Sequence, residues 1–594
     1  MCGISGILRF ASHDDHLETR IKLMQTVLKH RGPDDAGIYI ASDRQSALAH
    51  TRLSILDLSS AGHQPMSTGD GRYSITFNGE IYNFQQLRQN LISQGEKFQS
   101  QTDTEVILKL YQRVGSDCVH HLRGMFALAI WDDWEKTCFL ARDPLGIKPL
   151  YYWQSGSTLV FASELRAVIA SGLPKVKLSP EGLYGYLIAG SVPEPYTLIA
   201  DIHCLAAGHW LYWQDGNTSK KQYWQIDFTP KEVSPLESRE IVNAALVDSI
   251  KHHFISDVPV GIFLSGGIDS TAILALASQT QQSQLSTYCI TFAESEWNEG
   301  ELAQKIANHF GSNHTEFQVT ASFARSIFPS FLAAIDQPTI DGFNTFCVSK
   351  VAHDMGSKVV LSGLGGDEVF GGYKSFQTIP KMVEISKRLY TIPLVANGLG
   401  TCLAGWGNSP KIKRFGDFLK HPPTFSSAYR SFRGIFSDRE AFAIVKQMLG
   451  ESFIYHQQLD DNHDTPEDRV SFLELSGYMR NQLLRDSDVM SMNWGLELRV
   501  PFVDKDLIEA VAVIPSNIRL ASGKSLLTQS VPELPDWVIN KPKKGFSFPF
   551  EKWMQTEFGD YFQDLNIPQG ISLQLWYRRW SLAILKNWCD SVGL

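Results

Sequence analysis

The apolar residues of this chain change their spacing at about Glu237, and that change decides which folds are open to it. Before this point, short β-prone runs are separated by Gly, Asp and Pro turns, which predicts an α/β layered domain with a largely antiparallel sheet. After it, short apolar runs alternate with helical stretches, which predicts a doubly wound parallel α/β sheet. From Phe376 onwards the pattern is mostly helical. The chain is therefore predicted to contain two α/β domains of different kinds.

The predicted elements and boundaries follow from these runs. Strands are predicted at 46–55, 73–77, 125–131, 137–141, 158–162, 258–264, 286–292 and 358–361. Helices are predicted at 17–30, 83–94, 268–277 and 301–309. We place the first domain at 2–205, a linker region at 206–237 and the second domain at 238–594.

Composition excludes several classes of protein. The 594 residues carry 54 Lys and Arg against 63 Asp and Glu, a net charge of −9, whereas a nucleic-acid-binding protein is expected to have a basic face. The 8 cysteines include no Cys-x-x-Cys pair, so neither a zinc site nor a disulfide framework is indicated. The least polar stretch, Leu389 to Trp406, is interrupted by Pro, Asn and Gly and does not predict a membrane helix. With no export signal visible, we expect a soluble protein of the reducing cytoplasm.

Cys2 differs from the other cysteines in its position. If Met1 is removed, the thiol and a free α-amine belong to the same residue. A terminal amine has a pKa of about 7.7–8.0, so it can act as the base for its own nucleophile. Against this stands the ordinary interpretation of a cysteine as a small buried residue.

Four polar motifs follow Cys2 in the first domain. They are His30-Arg31-Gly32-Pro33-Asp34, Arg52-Leu53-Ser54-Ile55, Asn78-Gly79-Glu80-Ile81-Tyr82-Asn83 and Thr102-Asp103-Thr104-Glu105. An acyl-transferring cysteine needs hydrogen-bond donors where the tetrahedral oxygen develops, and the Asn78 amide with the Gly79 N–H can supply them. Arg52 suits a substrate carboxylate and Asp103 a substrate ammonium. Taken singly, Asn-Gly is also a common hairpin turn, and an Arg and an Asp can form a surface pair.

Cys2 and these motifs, in this order, resemble the class II glutamine amidotransferase domain, an N-terminal-nucleophile hydrolase. The resemblance covers about residues 2–205. It implies that glutamine is hydrolysed to glutamate and ammonia through a thioester on Cys2. It further implies that Arg52 binds the glutamine carboxylate and Asp103 its ammonium, that Asn78 and Gly79 form the oxyanion hole, and that Glu80 lies close to the bound substrate.

The second domain contains Ser265-Gly266-Gly267-Ile268-Asp269-Ser270 between an apolar strand and a helix. Backbone N–H groups of such a loop, together with a helix N-terminus, suit a phosphate, and Asp269 is of the type that holds Mg²⁺. The alternative is an ordinary Gly-rich turn. The position after a predicted parallel strand favours the ligand site, because ligands bind at the carboxyl ends of such strands. The loop lacks the Gly-Lys-Ser/Thr of a Walker P-loop.

This loop resembles the pyrophosphatase loop of the ATP-pyrophosphatase, or adenylating, enzymes. With the second Gly-rich loop at 362–373 and the motifs at 484–492 and 496–504, nearly the whole chain is similar to the glutamine-dependent asparagine synthetase family. The resemblance implies ATP contacts from Leu264, Ser265, Gly266, Gly267, Asp269, Ser270, Ile290, Ser362 and Gly363. It implies Mg²⁺ on Asp269 and Asp367, and a catalytic lysine at Lys543, with Lys544 as the one-residue alternative.

Some of these residues also have ordinary interpretations. Arg485, Asp488, Glu497 and Arg499 equally suit a buried ionic network inside a helical domain, and the lysines at 541–544 suit a solvated loop. Leu364 departs from the family pattern, because it stands where the best-studied members carry a glutamate held to help form or use the acyl-adenylate. Leucine accepts no proton, so a replacement would have to come from Glu368, Tyr373 or another part of the site.

The resemblance thus implies an ATP-dependent ligase that makes asparagine from aspartate, with glutamine as the amide donor. The expected intermediates are a thioester on Cys2 and β-aspartyl-AMP, and the expected partners are the small molecules glutamine, aspartate and ATP, with no nucleic acid and no membrane. A homodimer is compatible with the resemblance. The nearest alternative is amidation of another carboxylate, in a peptide, a cell-surface precursor or a secondary metabolite. A catalytically silent binding or storage protein is the alternative of a different class, which the retention of Cys2, Asp103, Asp269 and Asp367 disfavours.

Overall fold

The structure, a computed structural model, describes residues 2–10, 15–294, 298–406, 409–450, 453, 455, 463–541 and 548–594. These residues form three β-sheets. Two antiparallel sheets lie in the first half of the chain and one parallel sheet in the second. The predicted fold class is therefore confirmed.

The elements of the first half are short, as the turn spacing predicts. Its strands are β1 Cys2–Arg9, β2 Asp35–Ile40, β3 Ser46–Arg52, β4 Met66–Ser67, β5 Tyr73–Ile81, β6 Gly124–Asp132, β7 Thr137–Arg142, β8 Tyr151–Ser155, β9 Thr158–Ala162, β10 Ile202–Cys204, β11 His209–Gln214 and β12 Asn217–Gln222. Its helices are α1 Leu17–Val27, α2 Phe84–Ser93, α3 Asp103–Val114, α4 Leu165–Ala170 and α5 Pro180–Ala189, with 3-10 turns at Lys29–Arg31, Ser60–Gly62 and Gly115–His120.

The two antiparallel sheets pack face to face and are covered by helices on their outer faces. Their strand orders are β10-β8-β9-β1-β3-β2 and β12-β11-β7-β6-β5-β4. Between them lies an apolar core in which Ile4 and Leu48 of one sheet share a buried cluster with Trp131 and Trp213 of the other. On the outer face of the second sheet, Phe77 clusters with apolar residues of α3. The result is a four-layered α/β/β/α domain, which places the start of β1 beside β5.

Two predictions in this half need correction. The run at 73–77 was expected to end at Asn78-Gly79, but β5 continues to Ile81 and pairs with β6 over its full length. An Asn-Gly pair inside a paired strand is therefore not a hairpin turn. The predicted linker region at 206–237 contains β11 and β12, because β11 pairs with β7 and extends the second sheet.

The second half combines a short-stranded sheet with many helices. Its strands are β13 Val260–Phe263, β14 Ser286–Phe292, β15 Asn313–Val319, β16 Val359–Leu361 and β17 Glu497–Arg499. Its helices are α6 Pro235–His253, α7 Ile268–Thr280, α8 Gly300–Phe310, α9 Ala321–Ala334, α10 Phe343–Asp354, α11 Gly366–Phe370, α12 Ser375–Tyr390, α13 Pro393–Trp406, α14 Pro410–Leu419, α15 Phe425–Arg433, α16 Asp438–Leu449, α17 Pro466–Leu473, α18 Arg485–Met492, α19 Lys505–Ala512, α20 Ser516–Arg519, α21 Ser525–Ser530, α22 Asp536–Ile539, α23 Phe550–Trp553 and α24 Trp576–Val592. A π-helical segment, Glu474–Leu484, joins α17 to α18, and 3-10 turns lie at Pro501–Val503, Ser522–Lys524 and Gly559–Phe562.

The strand order of the parallel sheet is β15-β14-β13-β16-β17. The chain winds outward from β13 through β14 and β15, and then returns to place β16 on the other side of β13. The loops that follow β13 and β16 therefore meet at the point where the strand order reverses, which is where open α/β sheets bind ligands. The two Gly-rich loops of the sequence are these two loops.

Strand β17 was not predicted. It is only three residues long, Glu-Leu-Arg, and so it carries no periodicity to recognise. Glu497 and Arg499 are fully buried and form an ion pair of 2.5 Å, which agrees with the interpretation as a buried ionic network. They lie on a strand of the sheet, however, and not in a helical region.

Buried ion pairs join the two halves of the chain. Asp488 of α18 accepts a hydrogen bond from Arg31 at 2.7 Å and lies 3.5 Å from the ammonium of Lys148. None of the three side chains is more than 2% exposed. Burial opposes the charge of Arg31, yet Asp488 and Glu164 together raise its pKa.

No helix in the described part of the chain is long and apolar enough to cross a bilayer.

Replacing Asp488 with alanine should destabilise the protein by about 3 kcal/mol, because it leaves the buried Lys148 ammonium without its carboxylate. The measurement is the shift of the unfolding transition in urea, followed by tryptophan fluorescence. Glu18→Ala is the matched control, since it removes the carboxylate of an exposed ion pair with Lys22 and should not shift the transition. Equal shifts for the two variants would contradict the role assigned to Asp488.

Two candidate active sites

The first candidate site is built around Cys2, the first residue of β1. Its register partner on β3 is Arg52. Its backbone N–H donates to the Asn78 side-chain oxygen at 3.0 Å, and its carbonyl accepts from Arg31 Nε at 3.0 Å. The residue is 8% exposed, and burial raises the pKa of its thiol. Cys2 is thus held at the start of β1 by contacts from both sheets and from the Lys29–Arg31 turn.

Asn78 and Gly79 lie on β5, directly across from Cys2. The Asn78 carboxamide uses its oxygen for Cys2, while its Nδ2 is buried without a hydrogen-bond partner among the described residues. A buried unpaired N–H is costly unless a ligand uses it. A Cβ at Gly79 would lie 2.1 Å from the Met125 carbonyl oxygen, so no larger residue fits there. This pair therefore offers hydrogen-bond donors beside the thiol.

Arg52 is 6% exposed, and its guanidinium is fixed by backbone carbonyls of the loop after β3. It donates to the carbonyl of Ser59 at 2.9 Å and to those of Leu56 and Asp57 at 3.1 and 2.5 Å. Within the described ranges, no carboxylate lies at ion-pair distance from it. A positioned cation of this kind suits a substrate carboxylate.

Two acidic side chains complete the first site. Asp103, the first residue of α3, accepts a hydrogen bond from the Ile81 N–H at 2.9 Å, and burial raises its pKa to about 6. Glu80 lies 3.6 Å from the Arg499 guanidinium, and burial together with Glu497 raises its pKa well above the usual range. The structure thus brings together all six residues predicted for this site.

The second candidate site lies at the ends of β13 and β16. A cavity of about 300 Å³ is lined by both Gly-rich loops and by Ile290 of β14. Ser270 organises the first loop, because its Oγ accepts from the Ser265 N–H at 3.1 Å and lies 3.0 Å from the Ser265 hydroxyl. Helix α7 begins at Ile268 in this loop, and the first N–H groups of a helix have no partner within it. The loop therefore presents donors that suit a phosphate.

Most of the predicted ATP residues line this cavity. They are Leu264, Ser265, Gly267, Asp269, Ser270, Ile290, Ser362 and Gly363. Gly266 does not line it; a Cβ there would meet Leu302 at 2.6 Å and the Lys541 ammonium at 3.0 Å. The predicted catalytic Lys543, like Lys544, lies outside the described residues.

Asp269 and Asp367 lie on either side of one lysine that the sequence analysis missed. Lys524 Nζ lies 2.7 and 2.6 Å from the two Asp269 carboxylate oxygens and also pairs with Asp367. Although burial opposes it, these carboxylates raise the pKa of Lys524. A Cβ at Gly366 would lie 2.4 Å from Asp269 Oδ1, so the second loop can approach Asp269 only with glycine there. The one sequence pattern that could have indicated Lys524 is Gly523-Lys524-Ser525, just before α21. In the structure, Lys524 has a left-handed φ of 55°.

The two aspartates also fit the predicted metal. One ammonium already bridges the two carboxylates, which shows that they can share a cation. The described residues contain no cluster of three or more His, Cys, Asp or Glu side chains suited to a metal. Two carboxylates with substrate phosphates and water are a usual Mg²⁺ environment, so this donor set suits a Mg²⁺ that arrives with the nucleotide.

Leu364 lines the same cavity, together with an acid–phenol pair. The Tyr373 hydroxyl donates to Glu368 Oε1 at 2.8 Å. Burial, reinforced by Asp367, raises the pKa of Glu368 to about 8. The two side chains that the sequence analysis named as replacements for the missing glutamate are thus in contact with each other at the cavity wall.

Arg499 connects the two sites. Its backbone carbonyl accepts from the Ser362 N–H at 2.9 Å, in the second nucleotide loop. Its guanidinium pairs with Glu497 on β17 and with Glu80 in the first site. One residue of β17 therefore touches both candidate sites.

Comparison with known proteins identifies two family models, one in each half of the chain. A family model described as a glutamine amidotransferase domain matches residues 1–224, and one described as asparagine synthase matches residues 242–590. Asparagine synthetase [glutamine-hydrolyzing] 1 of Bacillus subtilis is 31% identical, over 99% of this chain and 93% of that protein. Amidase chry2 of Gibberella zeae is 27% identical, over 93% of this chain and 90% of that protein.

A solved structure shows a weaker likeness. Glutamine phosphoribosylpyrophosphate amidotransferase of B. subtilis is 17% identical, over 53% of this chain and 65% of that one, with a TM-score of 0.30. This likeness is too distant to add to the fold described above.

Proposed function

The chain belongs to the asparagine synthase family, and on that premise we propose that it transfers the amide nitrogen of glutamine to a carboxylate activated by ATP. The observation that carries the proposal is the presence, in one chain, of Cys2 hydrogen-bonded to Asn78 and of two Gly-rich loops that meet at Asp269 and Asp367. Members of this family are glutamine-hydrolysing, ATP-dependent ligases. We assign the glutaminase unit to the strands through β12 and the ligase unit to the parallel sheet and its helices.

In the first site, with Met1 removed, the Cys2 amine takes the thiol proton and Sγ attacks the glutamine amide carbon. Asn78 Nδ2 and the Gly79 N–H stabilise the tetrahedral oxygen, Arg52 holds the glutamine carboxylate, and Asp103 holds its ammonium. Ammonia leaves, and water then releases glutamate from the thioester. The unpaired Asn78 Nδ2 and the uncompensated Arg52 support these roles.

In the second site, the acceptor carboxylate attacks the α-phosphorus of ATP and pyrophosphate leaves. The Ser265–Ser270 loop holds the phosphates through its N–H groups, with Lys524 beside them. Asp269 and Asp367 would hold Mg²⁺, which neutralises phosphate charge when bound. Ammonia then attacks the acyl carbon and AMP leaves.

Only neutral ammonia is a nucleophile, so we propose that a shielded passage leads ammonia from the first site to the second. Mutations that block this passage should uncouple glutamine hydrolysis from amide formation.

Aspartate is the first candidate acceptor, since relatives named asparagine synthetase match over most of the chain. With aspartate, the product is asparagine and the intermediate β-aspartyl-AMP. A second candidate is a different carboxylate. It is favoured by Leu364, which replaces an acidic side chain in the nucleotide cavity, and by the relative named an amidase.

The test is release of pyrophosphate by the purified full chain with ATP, Mg²⁺ and glutamine, with and without aspartate. Aspartate-dependent release, with asparagine formed in equal amount, is the result expected for the first candidate. Release that depends on another carboxylate selects the second. Absence of ATP–pyrophosphate exchange with every acceptor tested would contradict the proposed ligase.

The KM for glutamine should rise as the pH falls below about 6. Asp103 must be ionised to hold the substrate ammonium, and its pKa of about 6 means that it takes up a proton in this range. Initial glutaminase rates at varied glutamine concentration between pH 5 and 8 give the KM at each pH. In Asp103→Asn the KM should be high at every pH and should no longer depend on pH in this range. A wild-type KM that is constant down to pH 5 would remove Asp103 from the ammonium site.

A further inference from the structure

A second cavity, of about 460 Å³, lies beside the nucleotide cavity, between α5 of the first half of the chain and helices of the second half. We call it the ring cavity, because aromatic side chains dominate its wall: Tyr184, Tyr429, Tyr478, Phe550, Trp576 and Tyr577. They come from α5, α15, the π-helical segment, α23 and α24. The proposed reaction so far gives this cavity no role.

The ring cavity adjoins the nucleotide cavity. Asn344, near the start of α10, lines both cavities. At a second place, the Arg433 guanidinium lies 4.6 Å from the ring centre of Tyr373 and 4.0 Å from that of Tyr478. Tyr373 lines the nucleotide cavity and Tyr478 the ring cavity. A molecule in the ring cavity can therefore extend a group past Asn344 towards the nucleotide.

The charge of the ring cavity favours an anion. Arg414, Arg430 and Arg433 line it, and Arg433 alone among them has a carboxylate partner in the described ranges, Glu474 at 2.7 Å. Among the described wall residues, Asp341 is the one acidic side chain. Burial raises the pKa of Asp341, which favours its neutral form. Arg430 of α15 thus lines the cavity as a cation that has no carboxylate partner in the part of the chain that the structure describes.

We propose that the ring cavity binds the body of the acceptor, a carboxylic acid that carries a ring and a second anionic group, and presents its carboxylate to ATP. The aromatic faces pack against the ring, and Arg430 binds the second anionic group. This rests on the proposed function, since it names the acceptor class of that reaction. The ring is a sugar ring or an aromatic ring, since both pack on aromatic side chains.

Size separates this acceptor from aspartate. Cavities of roughly 300–1,000 Å³ accommodate drug-sized ligands, and the ring cavity falls within that range. Free aspartate has no ring for the aromatic wall and would leave most of the cavity unfilled. Leu364 agrees with this assignment, because it removes an acidic group from the neighbouring cavity and leaves an apolar contact there.

The experiment is calorimetric titration of the full chain, with a non-hydrolysable ATP analogue and Mg²⁺ present. The probes are glucuronic acid 1-phosphate, 4-carboxyphenyl phosphate and aspartate. We expect at least one of the two ring acids to bind at least tenfold more tightly than aspartate, and the tighter one identifies the type of ring. Arg430→Gln should weaken that binding about tenfold or more, as loss of a charge-assisted hydrogen bond does.

Matched variants keep the test specific. Arg439→Gln, on the exposed part of α16, removes the same charge outside the cavity and should leave binding unchanged. Trp576→Ala should weaken binding of the ring acid by removing one aromatic face. Three results would each overturn the proposal. Aspartate binds as tightly as both ring acids, or neither ring acid binds. In the third, neither Arg430→Gln nor Trp576→Ala weakens the binding of a ring acid.

Turnover separates this proposal from the proposed function. If the ring acids bind as expected but no acid supports AMP and pyrophosphate formation, the ring cavity stands and adenylation fails. If aspartate is converted to asparagine with the same kcat/KM in the wild-type protein and in Arg430→Gln, adenylation stands and the ring-cavity proposal fails.

Discussion

Cys2→Ala should abolish glutamine-dependent amide formation, lowering its rate by about three orders of magnitude or more, while ammonia-dependent amide formation continues. The thiol is the sole nucleophile of the proposed thioester step, and losing a nucleophile removes the covalent route entirely. Neither Cys2 nor its contacts Arg31 and Asn78 line the ligase cavity, so ATP-dependent activation should persist. Glutamate release and pyrophosphate release, measured with glutamine and then with ammonium chloride, give the two rates.

A cysteine away from both sites provides the control. Cys402 is exposed on α13, and Cys402→Ala should leave both rates unchanged. Alanine at position 2 can keep the backbone pairing of β1 with β3, so we expect the fold to be retained. If Cys2→Ala nevertheless loses ammonia-dependent activity, the residue is needed for the fold and not only for the glutaminase reaction. Retention of glutaminase activity would exclude the thioester altogether.

Asp269→Ala should produce the converse result: pyrophosphate release should fall about 100- to 1,000-fold while glutamate release from glutamine continues. The proposed Mg²⁺ loses one of two carboxylates, and a bound metal contributes several kcal/mol of charge stabilisation to such a step. Lys524 keeps Asp367 as a partner, so the substitution does not leave its ammonium unpaired. Pyrophosphate and glutamate are measured in parallel on the same preparation.

The control removes a carboxylate outside the cavity of the same domain. Asp354 lies at the end of α10 in an exposed pair with Lys350, and Asp354→Ala should change neither rate. A dependence on Mg²⁺ concentration that is shifted upward in Asp269→Ala would support the metal assignment. Unchanged pyrophosphate release would place the metal, or the phosphates, elsewhere.

Local sequence patterns predict those parts of the candidate site whose residues are close together in the chain or belong to one motif. The Ser265–Ser270 loop could be placed because an apolar strand and a helix flank it directly. Asn78 and Gly79 are candidates from their residue types alone, and their local pattern predicts a turn, because only pairing with β6 shows that the strand continues through them.

The contacts that join distant segments could not be predicted. Arg31 and Asp488 are separated by 457 positions, and no local pattern specifies that they meet. Lys524 is one of many lysines until the fold places it between Asp269 and Asp367. Strand β17 is too short for periodicity, and its Glu and Arg resemble an isolated ionic pair until β16 is seen beside it.

The buried carboxylate of Asp488 has a consequence for recombination between relatives. Its two cations, Arg31 and Lys148, belong to the first half of the chain, whereas Asp488 itself belongs to the second. A hybrid gene that takes its halves from different parents inherits this triad intact only if both parents carry the same three residues. Exchange of whole halves should therefore succeed between parents that match at these positions and give insoluble protein between parents that do not, however similar their catalytic loops are.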